Sequence, residues 1–129
     1  MFEIKRASDT EIAERGDLAN RAAGSLAIAG FSVHQDANDV SAAVGALVWV
    51  DPADDSRGGV FVRWMADPSL SRAAAESAQK GEIESSKFQH FVLVTEHMYA
   101  TLIKILRSAG FQAEDADDDM SPYLIRVVS

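Results

Sequence analysis

The clearest hydrophobic pattern along the chain is a pair of apolar runs on either side of a turn-rich segment. Ala46–Asp51 and Val60–Met65 are rich in β-branched and aromatic residues, which strands favour. The connection between them, PADDSRGG, concentrates the proline, aspartate and glycine that turns use. The pattern therefore predicts a β-hairpin in the middle of the chain.

The register of this hairpin decides which of its side chains share a face of the sheet. An even-numbered turn centred near Asp55 would give one face with both tryptophans and another with an arginine. The first set is Leu47, Trp49, Val62 and Trp64, and the second is Val48, Val50, Phe61, Arg63 and Met65. Because only the second face contains a charge, we expect the tryptophan face to pack under helices and the arginine face to stay partly open.

Two helices have recognisable beginnings and ends. Ser8 and Glu11 have the spacing of a capping box at the start of the first helix, and Gly30 supplies the left-handed residue that ends it. Asp67 followed by proline is a favourable start for the second helix. We expect that helix to end at the Lys80–Gly81 pair.

A third helix is predicted from Ser85 or the serine after it to Gly110, a length of about 24 residues or 36 Å. Its apolar positions recur at steps of three and four residues. The segment Phe88–Val94 is also rich in β-branched and apolar residues. A strand over that segment, followed by a shorter helix, is therefore the alternative interpretation.

Shorter extended segments complete the pattern at Phe2–Arg6, Phe31–Gln35, 111–113 and Tyr123–Val128. The predicted element order is β-α-β-β-β-α-α-β-β. Runs of strands interrupted by helices indicate an α+β fold. We expect a two-layer sandwich with a mainly antiparallel sheet and two or three helices packed on one face. With 129 residues, the chain fits a single domain spanning 1–129.

Two segments resemble each other, LAIAGFSVHQDANDVS from Leu26 and LRSAGFQAEDADDDMS from Leu106. They share six of sixteen residues without a gap. Four of the six belong to one device, a helix that ends in glycine followed by a hydrophobic residue. The pair therefore indicates two helix-to-sheet connections with a two-fold quasi-symmetry, and the question of duplication stays open because the flanking elements do not align.

Charge and composition narrow the classes of partner and compartment. The net charge of −8 opposes binding to nucleic acids and anionic membranes. The chain has no cysteine, and no stretch approaches the roughly 18 apolar residues of a membrane span. Its first residues, MFEIKRASD, lack the order of a secretory signal. We expect a soluble cytoplasmic protein, and eight arginines against four lysines with abundant alanine suggest a bacterial source.

Metal and cofactor motifs are weak or incomplete in this sequence. The run DADDDMS begins like a calcium loop at Asp115. The sixth position, which needs glycine, is Met120, and the twelfth, which needs glutamate, is Arg126. The glycines form neither a dinucleotide fingerprint nor a P-loop. The sequence therefore predicts an acidic turn, with no metal and no cofactor.

The candidate binding residues are two arginines in predicted strands, two aromatic residues and a histidine. Arginines projecting from one sheet face could hold a carboxylate or phosphate through two hydrogen bonds, although pairing with acidic side chains is an equally ordinary role. An aromatic lining could complete a pocket, and a plain core would use the same residues. The candidates are Arg63, Arg126, Trp64, Tyr99 and His97.

Three functions agree with this picture. The first is a non-catalytic interaction module that self-associates, most simply as a homodimer, or binds another protein through an apolar sheet or helix face. The second is a small-ligand domain with a pocket between sheet and helices; its sign would be a cavity of about 300 Å³ or more with an unpaired arginine. The third is an enzyme that uses Glu96, His97 or Tyr99 as acid and base. We rank the enzyme last.

Overall fold

The computed structural model describes residues 5–35 and 44–128, which form three helices and five strands. The helices are α1 (Asp9–Ile28), α2 (Pro68–Gln79) and α3 (Ser86–Ser108). The strands are β1 (Val33–His34), β2 (Gly45–Asp51), β3 (Gly59–Met65), β4 (Gln112–Asp115) and β5 (Ile125–Val128). The predicted α+β class is confirmed.

The strands form one sheet in the order β1-β2-β3-β5-β4. β1 runs parallel to β2, and the other neighbouring pairs are antiparallel. The sheet is therefore mainly antiparallel, as the sequence predicted. The central hairpin β2–β3 has the longest pairing, over all seven residues of each strand.

The predicted first strand, Phe2–Arg6, lies mostly outside the described residues. Within them, Arg6 forms an isolated antiparallel bridge with Ala53. The amide of Ala7 donates to the carbonyl of Pro52 at 2.8 Å. The chain before α1 therefore runs beside the β2–β3 loop.

The predicted partition of the hairpin faces is wrong by one residue. The loop between β2 and β3 has an odd length, residues 52–58, so Leu47 lies opposite Arg63 and Trp49 lies opposite Phe61. Trp49 and Trp64 consequently project from opposite faces, because neighbouring positions in a strand alternate. The helix-covered face instead carries Ala46, Val48, Val50, Val60, Val62 and Trp64. These residues are mostly small or β-branched.

The core lies between this face of the sheet and helices α1 and α3. α1 contributes three alanines together with Leu18 and Leu26. α3 contributes Leu102, Ile103 and Leu106. The small side chains of α1 allow close approach to the strands, so the predicted packing of helices on one face agrees with the contacts of the core cluster.

α3 is one continuous helix of 23 residues, so the alternative strand over Phe88–Val94 is wrong. The helix is fixed at its start by Ser85, whose side chain accepts a hydrogen bond from the amide of Phe88 at 3.2 Å. Its apolar period continues unbroken into the buried leucines of the second half. The first half, residues 86–101, contains no fully buried residue. This half extends past the core and packs against α2.

The two similar segments that start at Leu26 and Leu106 end their helices in the same way. Gly30 and Gly110 have φ values of 107° and 100°, which allow the amides of Phe31 and Phe111 to donate back into the last helical turn, each at 3.1 Å. The strands that follow lie at opposite edges of the sheet, one parallel and one antiparallel to its neighbour. The acidic half of the first segment, 36–41, lies outside the described residues.

Candidate functional site

A cavity of about 480 Å³ opens where the last residues of β3 extend beyond the start of β5. One wall is the end of β3, another is the first half of α3 with a residue of α2, and the third is the segment before β5. The lining comprises residues 63–66, Ser71, Phe91, Val92, Thr95 and residues 120–123. Most of these side chains are apolar, as in typical small-molecule sites.

The cavity exists because β5 does not pair with the last residues of β3. β2 pairs with the whole of β3, whereas β5 pairs only with Val60, Phe61 and Val62. Continuing the same register would place Tyr123 opposite Trp64. Tyr123 instead has a φ of 63°, a conformation that an aromatic residue rarely adopts. The backbone therefore turns away from the sheet at Tyr123, and the space between this segment and the end of β3 stays open.

The charge of the cavity lining differs from that of the whole protein. The chain has 20 acidic and 12 basic residues, yet the lining includes one arginine and no carboxylate. That arginine is Arg63, whose side chain makes no hydrogen bond or ion pair within the described part of the chain. The site thus presents a positive group that no other described side chain satisfies.

Trp64, another lining residue, also carries an unsatisfied donor. Its indole Nε1 is buried and has no hydrogen-bond partner among the described residues, and an edge contact with Phe31 at 6.1 Å holds the ring. Two hydroxyls of the lining are engaged with main-chain carbonyls: Thr95 donates to Phe91 at 2.9 Å and Ser71 to Pro68 at 3.3 Å. Among the nitrogen donors of the lining side chains, those of Arg63 and Trp64 have no partner in the described part of the chain.

The other candidate arginine, Arg126, lies elsewhere and is already occupied. Its guanidinium donates to the carbonyls of Gly58, at 2.7 Å, and Ser56. It also lies 4.7 Å from the centre of the Phe61 ring, an arrangement that stabilises through the cation–π interaction. Its contacts hold the β2–β3 loop, so the structure separates the two arginines that the sequence could not distinguish.

A larger depression, of about 700 Å³, lies beside α1, the start of β3 and the end of β5. Its three arginines all have partners. Arg126 binds as described above, Arg15 donates to the carbonyls of Asp51 and Ala53, and Arg21 pairs with Asp17 at 3.0 Å. Acidic side chains of α1 also line it. Despite its size, this depression offers no arginine without a partner to an anionic ligand, and we therefore place the candidate site at the cavity beside Arg63.

No protein-family model, curated protein or solved structure matches this chain. The site must therefore be interpreted from its own chemistry.

Tyr99 lies next to Tyr123, one of the residues that line the cavity. Its ring contacts that of Tyr123 at 5.5 Å in an edge arrangement, and its hydroxyl donates to Asp115 Oδ2 at 2.8 Å. Burial and the hydrogen bond to Asp115 raise the pKa of Tyr99 to about 12. The hydroxyl therefore stays protonated near neutral pH and can donate to Asp115.

The three residues considered as acid and base groups do not meet. Glu96 and His97 are exposed on α3, whereas the half-buried Tyr99 is bound to Asp115. His97 and Tyr99 do not belong to the cavity lining. Of the five candidate binding residues, Arg63 and Trp64 belong to the cavity lining. As neighbours in β3, they project their side chains from opposite faces of the sheet.

The acidic segment after β4 forms turns. The side chain of Asp115 accepts from the amide of Asp117 at 2.7 Å, and that of Asp118 accepts from the amide of Met120 at 2.9 Å. Across residues 5–35 and 44–128, no group of three or more histidines and acids could hold a metal ion. None of the three helices described is long and apolar enough to cross a membrane.

Proposed function

We propose that this chain is a small-ligand-binding domain for an apolar molecule that carries a carboxylate. The observation that supports the proposal is Arg63, which has no partner among the described residues and lines a mainly apolar cavity that has no acidic residue in its lining. The proposal places the domain in the cytoplasm, in keeping with a chain without cysteine.

The chemistry of each part of the cavity favours such a ligand. A guanidinium binds a carboxylate through two parallel hydrogen bonds, and these are about twice as strong as neutral ones. The volume of about 480 Å³ falls in the range of small-molecule sites. Because the protein as a whole has a charge of −8, its field opposes anions. Recognition of an anion therefore needs a local cation, which Arg63 provides.

We expect Arg63→Gln to weaken binding of 3-phenylpropionate by about tenfold or more, because the charged hydrogen bonds are lost. The measurement is a titration followed by tryptophan fluorescence in a Trp49→Phe background, where the remaining tryptophan is the one at the cavity. Calorimetry checks the same affinities without a fluorophore.

The matched control for this titration is Arg21→Gln, which removes the same charge from the exposed surface of α1. It should leave the affinity unchanged. The neutral 3-phenylpropanol should bind more weakly than the acid. Equal affinity of wild type and Arg63→Gln, or of acid and alcohol, would contradict the proposal.

A second candidate function, self-association as a homodimer, is supported by apolar exposure on the α2–α3 hairpin. Ile83 is 56% exposed and Leu93 is 51% exposed, and the first half of α3 has no fully buried residue. Exposed large apolar side chains are common at protein–protein contacts when they form one patch. Two copies pairing through this hairpin would cover both side chains.

Sedimentation velocity tests the dimer directly. At high micromolar concentration we expect the wild type to sediment as a dimer and Leu93→Lys as a monomer, because a charge at the interface must be desolvated. Ile28→Lys is the control, since Ile28 is 91% exposed on a different helix. A monomeric wild type would exclude this function, and it would leave the ligand proposal untouched.

A further inference from the structure

The main chain of Trp64 is an unused position of the sheet ladder. In antiparallel strands, the N–H and C=O of one residue point to the same neighbour, and successive residues point to opposite sides. The amide of Ala46 donates to Ser32 on the β1 side. Ala46 therefore points away from β3, and its opposite residue Trp64 points away from β2.

The side to which Trp64 points is the one that β5 occupies farther along. Val60 and Val62 face Val127 and Ile125 of β5, and Trp64 is the next residue with the same orientation. No main-chain hydrogen bond joins Trp64 to the segment before β5 in the described part of the chain. Its N–H and C=O are therefore both open at the edge of the cavity that Trp64 lines.

This pair of groups has a defined complement. A ladder partner must offer one N–H and one C=O from the same residue. If the residue is the last of a chain, its carboxylate replaces the C=O, and the N–H is that of its own α-nitrogen, which a preceding acyl group has converted into an amide. Such a residue would donate to the carbonyl of Trp64 and accept from its amide with one carboxylate oxygen.

We propose that the cavity binds the free carboxyl end of an N-acylated apolar amino acid, either alone or as the last residue of a peptide. The inference rests on the proposed function and specifies its ligand. The carboxylate lies at the Trp64 amide and the Arg63 guanidinium, and the apolar side chain enters between α3 and Tyr123. The mode combines addition to a strand edge with capture of a terminal carboxylate.

The test compares ligands that differ by one group. N-acetyl-L-phenylalanine carries the amide, the carboxylate and the apolar side chain. O-acetyl-L-3-phenyllactate replaces only the amide N–H by an ester oxygen, and the methyl ester of N-acetyl-L-phenylalanine removes only the charge. We expect the first to bind about three- to tenfold more tightly than the phenyllactate, which lacks one hydrogen bond, and the methyl ester to bind still more weakly.

Tryptophan-selective ¹⁵N labelling gives a readout at the contact itself. The protein has two tryptophans, so the spectrum shows two main-chain amides. The Trp49 amide lies within the β2–β3 ladder opposite Phe61 and serves as the internal control. The Trp64 amide should exchange rapidly with solvent in the free protein. Saturating N-acetyl-L-phenylalanine should slow that exchange by about tenfold or more and shift the signal.

The outcomes separate this inference from the proposed function. If all the carboxylates bind equally and the Trp64 amide does not respond, the cavity still binds apolar anions but the ladder contact is wrong. If no carboxylate binds, both proposals fail. An N-acetyl tetrapeptide that ends in phenylalanine distinguishes the sources: tighter binding than the single residue indicates a peptide chain, and equal binding indicates the acylated amino acid.

Discussion

Replacing Leu106 with alanine is expected to lower the free energy of unfolding by about 2–5 kcal/mol. Leu106 has no solvent exposure and lies in the core cluster between α1, α3 and the sheet. Its backbone carbonyl also accepts the amide of Phe111 at the helix end, so the surrounding chain is held and cannot collapse readily into the space left by the side chain. Equilibrium unfolding in urea measures the change.

The control for this variant is Ile28→Ala, which removes an aliphatic side chain that is 91% exposed. It should change the free energy of unfolding by no more than about 0.5 kcal/mol. Both variants should keep the wild-type dependence on urea, because the area exposed on unfolding is nearly the same. A loss below about 1 kcal/mol for Leu106→Ala would show that the core does not close around this residue.

Gly45→Ala is expected to cost about 3 kcal/mol or more. Gly45 has a φ of 119°, a region where a side chain adds about 1–3 kcal/mol of strain. A Cβ there would clash with the carbonyl oxygen of Ser32. Because that oxygen accepts the amide of Ala46 at 2.9 Å, moving it also weakens the junction of β1 and β2. Thermal and urea unfolding both measure the loss.

Two other glycines provide matched controls for Gly45. Gly81 has a φ of 74° with open space around its Cβ position, so Gly81→Ala should cost only about 1 kcal/mol. Gly16 lies inside α1 with nothing within 4 Å of its Cβ position, and Gly16→Ala should stabilise by about 0.5–1 kcal/mol. If all three substitutions had equal effects, the close contact with Ser32 would not exist.

The helices were predictable because their signals are local. Ser85 and Gly110 lie at the two ends of a repeating apolar pattern, and both cap α3 as expected. The hairpin register was not predictable in the same way. It depends on whether the loop has an odd or even number of residues, which is set in part by the amide of Ala53 donating to the Asp51 side chain. A change of one residue exchanges the faces of a whole strand.

The candidate site was predictable only in part, for a related reason. Arg63 and Arg126 look alike in the sequence, since each lies among apolar residues of a strand. Arg126 finds its partner Gly58, which is 68 positions away, and Arg63 finds none among the described residues. The early end of β5 pairing, which opens the cavity, depends on the backbone of Tyr123. Neither fact follows from a local pattern.

The two arginines at the β2–β3 loop have a consequence for proteolysis. Hairpin tips are usually where a protease cuts a folded domain first. Here Arg15 and Arg126 together hold three carbonyls of that loop, those of Ala53, Ser56 and Gly58, and the carbonyl of Asp51 at the end of β2. A protease must draw this chain into an extended conformation, which would break those bonds. The tip should therefore resist trypsin, although its Arg57 is exposed.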